Sequence, residues 1–385
     1  MQGYYRQPAL YKNKIIFVSE DDLWSVDLNN PKATRLTANN SEVSSPIFSP
    51  NGKHIAYIGT EDGGTEIYIM PSSGGPSKRL TYDGGFISQI SLWEDDIIYY
   101  SSTLSSTIGR VLDLRMISSK GGPSSPLNYG MARSISKSEF GTILGKNTAD
   151  PARWKRYKGG TAGEILIDNN NKNKFKKLFN LKGNITSPFW ISNRIFFISD
   201  HEGIVNIYSS TQLGKNIKKH TNHKNYYARN ASVYNDKIIY HSGAYIYILN
   251  TQSSIYDKVE FDYTSSKTQA SRKFTSAQKY LESVSLATSK NFISVISRGK
   301  AFVMGNWNGP VFQFGEKHGI RYKHSIFFSN DKKILLVSDK DNKESIEIHT
   351  ITSKTIKKSN VDFGRILSVK KSPKDDLFII LNHKH

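Results

Sequence analysis

One pattern recurs along this sequence at a spacing of about 40–50 residues, and such a chain is committed to stacking copies of one small unit. The clearest copy spans residues 45–81. It reads Pro46-Ile47-Phe48-Ser49, then His54-Ile55-Ala56-Tyr57-Ile58, then Glu66-Ile67-Tyr68-Ile69-Met70, and closes on Arg79-Leu80-Thr81. Pro50-Asn51-Gly52, Asp62-Gly63-Gly64 and Ser73-Gly74-Gly75 separate the runs. Gly and Asn accept the positive φ that tight turns demand. Four short runs joined by three turns make a four-stranded antiparallel meander, the unit of a β-propeller blade.

The unit returns elsewhere. Leu23-Trp24, Ile67-Tyr68, Ile207-Tyr208 and Ile246-Tyr247 share the third-strand slot, and Arg35-Leu36-Thr37 and Lys219-His220-Thr221 close their units as Arg79-Leu80-Thr81 does. Second strands match too, as in Lys14-Ile15-Ile16-Phe17-Val18 and Arg194-Ile195-Phe196-Phe197-Ile198. Six units are expected up to Tyr263, with limits near 8–40, 43–82, 86–130, 131–181, 185–223 and 226–263. Six blades can close a ring and so remove most exposed strand edges. The polar stretch 264–280 reads as a linker. Blades resume over about 282–315 and 321–359, and another begins at Arg365. The expected fold is therefore all-β: a six-bladed β-propeller over 1–263, then the first two and a half blades of a second, incomplete propeller over 281–385. Its completion is expected from further sequence or from a partner.

Composition agrees. Aromatics reach 12%, with 21 Tyr and 19 Phe, residues that suit a pleated, half-buried surface. The chain has no cysteine, which excludes disulfides, thiolate metal sites and a cysteine nucleophile. Residues 1–11 lack the apolar core of a secretory signal, and no apolar run approaches the roughly 20 residues of a membrane helix. A cytoplasmic protein is the simplest reading. The net charge of +20 draws anions, but the cations are scattered rather than gathered in one stripe, so nucleic acid is not the expected partner.

Two places carry candidate chemistry. Inner strands of a propeller line its central channel. By pattern these include Pro46–Phe48, Gln89–Leu92, Arg133–Ser136, Thr186–Trp190 and Arg229–Val233, so Arg133 and Arg229 are candidate channel cations. Each either focuses peptide carboxylates or pairs with a neighbouring acid. The segment Arg153-Trp154-Lys155-Arg156-Tyr157-Lys158 interleaves cations with rings. Trp154, Lys155 and Tyr157 there can grip anions and stack on planar groups, or simply cover a neighbouring blade. His201-Glu202-Gly203 and Asp339–Glu344 read as hairpin tips, and the Asn39, Asn184 and Asn230 triplets as chance glycosylation matches. No nucleophile elbow, metalloprotease helix, phosphate loop or dinucleotide fingerprint is present, and no cofactor or metal is expected.

The repeat resembles that of TolB-like propellers. Asp21-Asp22-Leu23-Trp24-Ser25-Val26-Asp27-Leu28, Trp154–Gly163, Asn225-Tyr226-Tyr227-Ala228-Arg229 and Ser297-Arg298-Gly299-Lys300-Ala301-Phe302 resemble, in order and spacing, segments of the tricorn protease family. That resemblance implies a six-bladed and then a seven-bladed propeller. It also implies a cytoplasmic homo-hexamer that trims proteasome-derived peptides, with a Ser/His machinery in C-terminal domains. No position here matches those catalytic residues. The expectation is a peptide port in a serine peptidase, inactive alone and partnered by peptides and the other domains or subunits. The rival expectations are a free-standing scaffold for protein or nucleic-acid partners and a propeller enzyme with converging carboxylates.

Overall fold

The computed structural model describes residues 3–38, 41–109, 111–170, 172–267, 275–316, 318–353 and 356–384. The chain forms two compact units, Met1–Ser271 and Arg272–His385. Part of the expected linker, 268–274, lies outside the described residues, as does Asn39. The regular structure of the described residues is almost wholly β, and a single 3-10 turn, Lys340–Asn342, is the one helical element among them. No helix is long and apolar enough to cross a membrane.

In the first unit the described strands form six four-stranded antiparallel sheets, each from four consecutive strands. Their inner strands are Arg6–Tyr11, Val43–Phe48, Ile87–Glu94, Ser134–Ser138, Ile185–Ile191 and Ala228–Tyr234. The architecture is that of a β-propeller. Second strands such as Lys14–Ser19 and Arg194–Ser199 are buried along nearly their whole length, because both faces of each sheet are covered. Alternation divides the two faces. Ile55 and Tyr57 of the second sheet pack with Ile16 and Leu23 of the first, while Ala56 and Ile58 pack with Ile98 and Tyr100 of the third. Fourth strands sit at the rim, are polar and shrink to two residues at Lys78–Arg79, Lys176–Lys177 and Lys218–Lys219. The third-strand aromatics stack on partners in the second strand, as Tyr68 on Tyr57 (5.7 Å), Tyr208 on Phe197 (6.0 Å) and Tyr247 on Tyr240 (5.6 Å).

The closing Thr of the repeat has a definite task. Thr81 Oγ1 accepts from the Ile67 amide at 2.8 Å and donates to Glu66 Oε2 at 2.5 Å, while Arg79 pairs with Glu66 Oε1 at 2.9 Å. Thr37 does the same with Leu23 and Asp22, and Thr221 with Ile207 and Asn206. Each Thr locks the start of a third strand to the end of its sheet and satisfies a buried acid or amide.

The sixth sheet packs on the first, with Ile239 and Ile246 against Leu10, Phe17 and Trp24. No strand is shared between these sheets; instead the segment after Ile255–Lys258 crosses over. Ala33 donates to the Asp262 carbonyl at 2.8 Å and Asp262 to the Pro31 carbonyl at 2.7 Å. Tyr5 holds this clasp from below, its ring 5.2 Å from Phe17, 4.9 Å from Phe261 and 5.2 Å from Tyr263.

The second unit holds two four-stranded sheets and one two-stranded sheet among the described residues. Ile296, Val303, Tyr322 and Leu336 fill the first junction, and Leu335, Val337, Ile366 and Val369 the second.

Thr81→Val keeps shape but strands the Ile67 amide and one Glu66 oxygen. It is expected to cost about 1–3 kcal/mol, the usual range for an unsatisfied buried polar group, read by urea denaturation. A loss too small to measure would remove the lock from the account. Tyr5→Ala is expected to cost about 3–5 kcal/mol, as for a large core ring. Hydrogen exchange should show the Ala33 and Asp262 amides losing protection before the second-strand amides do; unchanged protection there would mean the clasp does not depend on Tyr5.

Candidate functional site

The six inner strands surround a cavity of about 520 Å³. Each is an edge strand, because it pairs with only one neighbour in its own sheet. Four of them break their ladder in the same way. Gln7 (φ 48), Ser45 (φ 51), Ser187 (φ 47) and Asn230 (φ 47) take left-handed backbone, and the register shifts there. Pro8, Pro46 and Pro188 follow three of these residues. Such a bulge re-aims the strand, and the proline removes a donor that would otherwise point away from any ladder partner. Left-handed backbone at a residue with a Cβ costs about 1–3 kcal/mol, so the surroundings must enforce it.

Side chains do so by stapling consecutive inner strands across the gap between sheets. Gln7 Oε1 accepts from the Ser45 amide at 2.8 Å, and Ser45 Oγ from the Ile90 amide at 2.9 Å. Ser91 Oγ accepts from Ile135 at 3.3 Å, and Ser136 Oγ from Trp190 at 3.1 Å.

The cavity has unlike ends. Where the inner strands finish, it is walled by Tyr11, Phe48, Trp93, Trp190 and Tyr234. The Tyr11 ring lies 5.8 Å from Phe48 and 5.1 Å from Tyr234. Where the strands begin, the wall is polar and includes Arg133, Thr148, Asp150 and Asn230.

The two channel arginines of the sequence differ in their surroundings. Arg229 clasps Asp150 through Nε (2.9 Å) and Nη2 (2.6 Å), with Tyr4 Oη 3.5 Å from Nη1. Arg133 lines the cavity and has no ion pair or side-chain hydrogen bond among the described residues. Burial lowers the pKa of its guanidinium, Arg153 lowers it further, and Asp150 opposes both. His241, behind Arg229, is pushed down to about 3 by burial and then by Arg229, so it is neutral at physiological pH.

Trp154, Lys155 and Tyr157 stand on the loop between strands Gly141–Lys146 and Glu164–Asp168, and none of them is part of the cavity wall. Trp154 is 63% exposed and stacks on Tyr157 at 4.0 Å. The Lys155 ammonium lies 5.4 Å from the Tyr227 ring. A buried carboxylate that sequence reasoning missed, Asp200, anchors this loop. It accepts from the Arg156 amide at 2.7 Å and from the Asn184 amide at 2.6 Å. Asn184 Nδ2 then bridges Asp200 Oδ2 and the Trp154 carbonyl, each at 2.8 Å. The available signal was the turn Asp200-His201-Glu202-Gly203, whose first residue caps a neighbouring loop as well as its own. Asp150 was missed as well; its place before Pro151 marks a turn but not a partner for Arg229.

His201-Glu202-Gly203 is a hairpin tip, with Glu202 taken up by Lys219 at 3.0 Å and Tyr208 at 3.0 Å. Asp341 and Glu344 are paired with Lys358 and Lys323. Among the described residues no cluster of three or more His, Asp or Glu is placed to hold a metal.

The family model for the tricorn protease N-terminal β-propeller domain matches residues 2–254. The chain is 30% identical over 397 residues to a tricorn protease homolog of Saccharolobus solfataricus, covering 100% of this chain and 36% of that protein. In Sulfurisphaera tokodaii it is similar to two proteins. One, a putative tricorn-like protease C-terminal subunit, is 36% identical over 54% of this chain and 24% of its own length. The other, a putative tricorn-like protease N-terminal subunit, is 31% identical over 43% of this chain and 87% of its own length. Among solved structures, the tricorn protease crystal structure matches with a TM-score of 0.80 and 25% identity, over 99% of this chain and 37% of that one. The chain thus spans about a third of the length of the Saccharolobus relative and of the tricorn protease structure. Through its N-terminal β-propeller the chain belongs to the tricorn protease family.

Proposed function

We propose that residues 1–263 form a six-bladed ring that acts as a port for short peptides in a tricorn-type serine peptidase. Residues 281–385 begin a second propeller of the seven-bladed type, and 264–280 link the two. The observation that carries this reading is the cavity of about 520 Å³, walled by all six inner strands. It is polar at one end, with Arg133 unpaired among the described residues, and mainly aromatic, with Lys137 paired to Glu94, at the other. A short peptide offers matching parts: a terminal carboxylate and apolar side chains.

Chemistry is supplied by domains or subunits outside residues 1–385. The described cavity wall carries one acid, Asp150, and Arg229 already engages it. A glycosidase-like centre needs two free carboxylates facing one another, and this wall does not offer them. The Sulfurisphaera relatives named as N-terminal and C-terminal subunits support a division of labour between propeller and remainder. Apolar side chains exposed on the outer sheets of the second unit, Val284 and Leu286 at one side and Ile379 and Leu381 at the other, support further sheets packing there. The full assembly is a cytoplasmic homo-oligomer, a hexamer on the family resemblance. Arg133 and Arg229 set the field of the port, and Trp154, Lys155 and Tyr157 form a gripping surface beside it.

The purified chain is expected to leave a short fluorogenic peptide uncleaved, and to co-elute with a larger active peptidase after mixing with extract of its own cells. Cleavage by the pure chain, with activity following it through every column, would place the catalytic machinery inside residues 1–385 and overturn the port reading.

A further inference from the structure

The sixth sheet closes the first unit, and histidines hold it on both sides. The first unit has five histidines, and three of them lie in or against this sheet. His220 bridges the fifth and sixth sheets. Its Nε2 lies 2.8 Å from Ser209 Oγ in the third strand of the fifth sheet, and its Nδ1 lies 2.9 Å from Ser254 Oγ in the last turn of the sixth. Its ring centre is 4.9 Å from that of Phe196, and the charged groups acting on it are two cations, Lys218 and Arg194. His223 stands on the segment that joins the two sheets, where Asn206 accepts from its amide and donates to its carbonyl. Its Nε2 is 2.9 Å from Tyr240 Oη, and the rings of Tyr240, Tyr247 and Tyr256 enclose it at 5.6, 5.1 and 5.1 Å.

His241 serves the other side. Alternation along the strand turns Tyr240 toward the fifth sheet and sets His241, like Ile239, toward the first. It is buried, and neither ring nitrogen has a hydrogen-bond partner among the described residues. Around it stand Arg229 of its own sheet, Arg6 of the first sheet and Asp150 from the fourth, and Arg229 already clasps that one acid.

An imidazole buried among hydroxyls, phenols and guanidinium groups is stable only as the neutral ring. Burial pushes His220 down to about 4, burial and then Arg229 push His241 down to about 3, and burial lowers His223 as well, all from an ordinary value of 6.5. When the sheet opens to water, each ring recovers its ordinary affinity for protons. The open form therefore binds more protons than the closed one as the pH falls below about 6.5. Stability is complete above that value and is lost as the pH drops toward the folded values. Ordinary carboxylates titrate near about 4, which leaves the interval from about 6.5 to 5 to the histidines. The junction of the second and third sheets, packed with Ile58, Ile67, Ile98 and Tyr100, has no histidine in its core.

We propose that the sixth sheet is an acid-released segment of the ring: as the pH falls below neutrality it detaches from the fifth and first sheets while the other sheets stay closed. The topology permits this, because the sixth sheet shares no strand with either neighbour. Its inner strand contributes Asn230 to Tyr234 to the cavity wall, so its release opens the cavity sideways. The inference concerns the ring alone and holds whether or not peptides pass through it.

Hydrogen exchange of the full chain between pH 7 and pH 5, corrected for the pH dependence of the intrinsic rate, tests this. Opening of the sixth sheet, read at the second-strand amides 238–241, is expected to rise about tenfold per pH unit for each histidine released, and so at least about tenfold between pH 6.5 and 5. Amides 55–58 of the second sheet are expected to keep their protection over the same interval. His220→Gln and His241→Gln cannot take up a proton in this range, and each is expected to flatten the slope of the sixth sheet by about one decade per pH unit. His54→Gln, at an exposed strand start in the second sheet, should leave both slopes as in the wild type.

Parallel loss of protection in the second and sixth sheets would mean that the ring unfolds as one body, and the proposal fails. It fails too if protection of the sixth sheet does not change with pH, or if neither glutamine variant flattens its slope. Should those variants not fold, the comparison of the two sheets in the wild type decides alone. The port reading is decided separately by the peptidase assay, which uses no histidine variant.

Discussion

Everything in the first unit depends on how six inner strands tolerate a free edge. A β-strand with one ladder leaves a row of amides and carbonyls unpaired, which in an open sheet invites aggregation. Here the edges face one another around a cavity, too far apart for a ladder. The chain resolves the conflict locally. Pro8, Pro46 and Pro188 delete donors, the left-handed residues before them turn the strand, and Gln7, Ser45, Ser91 and Ser136 carry single hydrogen bonds across the gaps. The cavity is the direct consequence. It persists because neighbouring sheets are joined at the centre by side chains rather than by backbone pairing.

What the sequence made legible follows the depth of burial. Second strands are covered on both faces, so they read as near-continuous apolar runs, and Ile15–Val18 and Ile195–Ile198 announce themselves. Third strands carry the stacked rings, Tyr68 on Tyr57 and Tyr208 on Phe197, which recur because the cross-strand contact recurs. The third sheet hides better, since Arg115 stands opposite Tyr100 where other sheets place a ring, and Ser105 and Ser124 receive its guanidinium. The closing Thr was visible as a letter, but its partners were not. Asp22, Glu66 and Asn206 are different residue types that present the same acceptor oxygen, a likeness of chemistry that letter-matching passes over.

The site was legible only as far as strand order reaches. Pattern assigns Arg133 and Arg229 to inner strands with equal force, and nothing local distinguishes them. The distinction comes from Asp150, which lies 79 residues from Arg229 in sequence and reaches it from the loop of another sheet. For the same reason the net charge of +20 says little about the cavity. Many of the charges are on rim strands and turns, where exposed pairs such as Lys120–Asp96 contribute little and salt screens them. A guanidinium held partly out of water, as Arg133 is, is screened less than an exposed lysine and so weighs more in the local field.

Closure of the ring follows the same economy. The first and sixth sheets share no strand, so the joint rests on the 259–263 segment and the rings of Tyr5, Phe17, Phe261 and Tyr263. Side-chain packing of this kind fixes a spacing through contact shape, whereas a ladder fixes it at strand separation. Cavity width is therefore set by which side chains the inner strands carry at the junctions and by the clasp that draws the ends together. A small residue such as Ser45 at a staple lets strands lie close, whereas a ring such as Trp190 fills the space at the far end and lines the cavity there. The width of the cavity and its local charge are then set in the same short strands, one by the residues that touch the next sheet and the other by the residues that touch none.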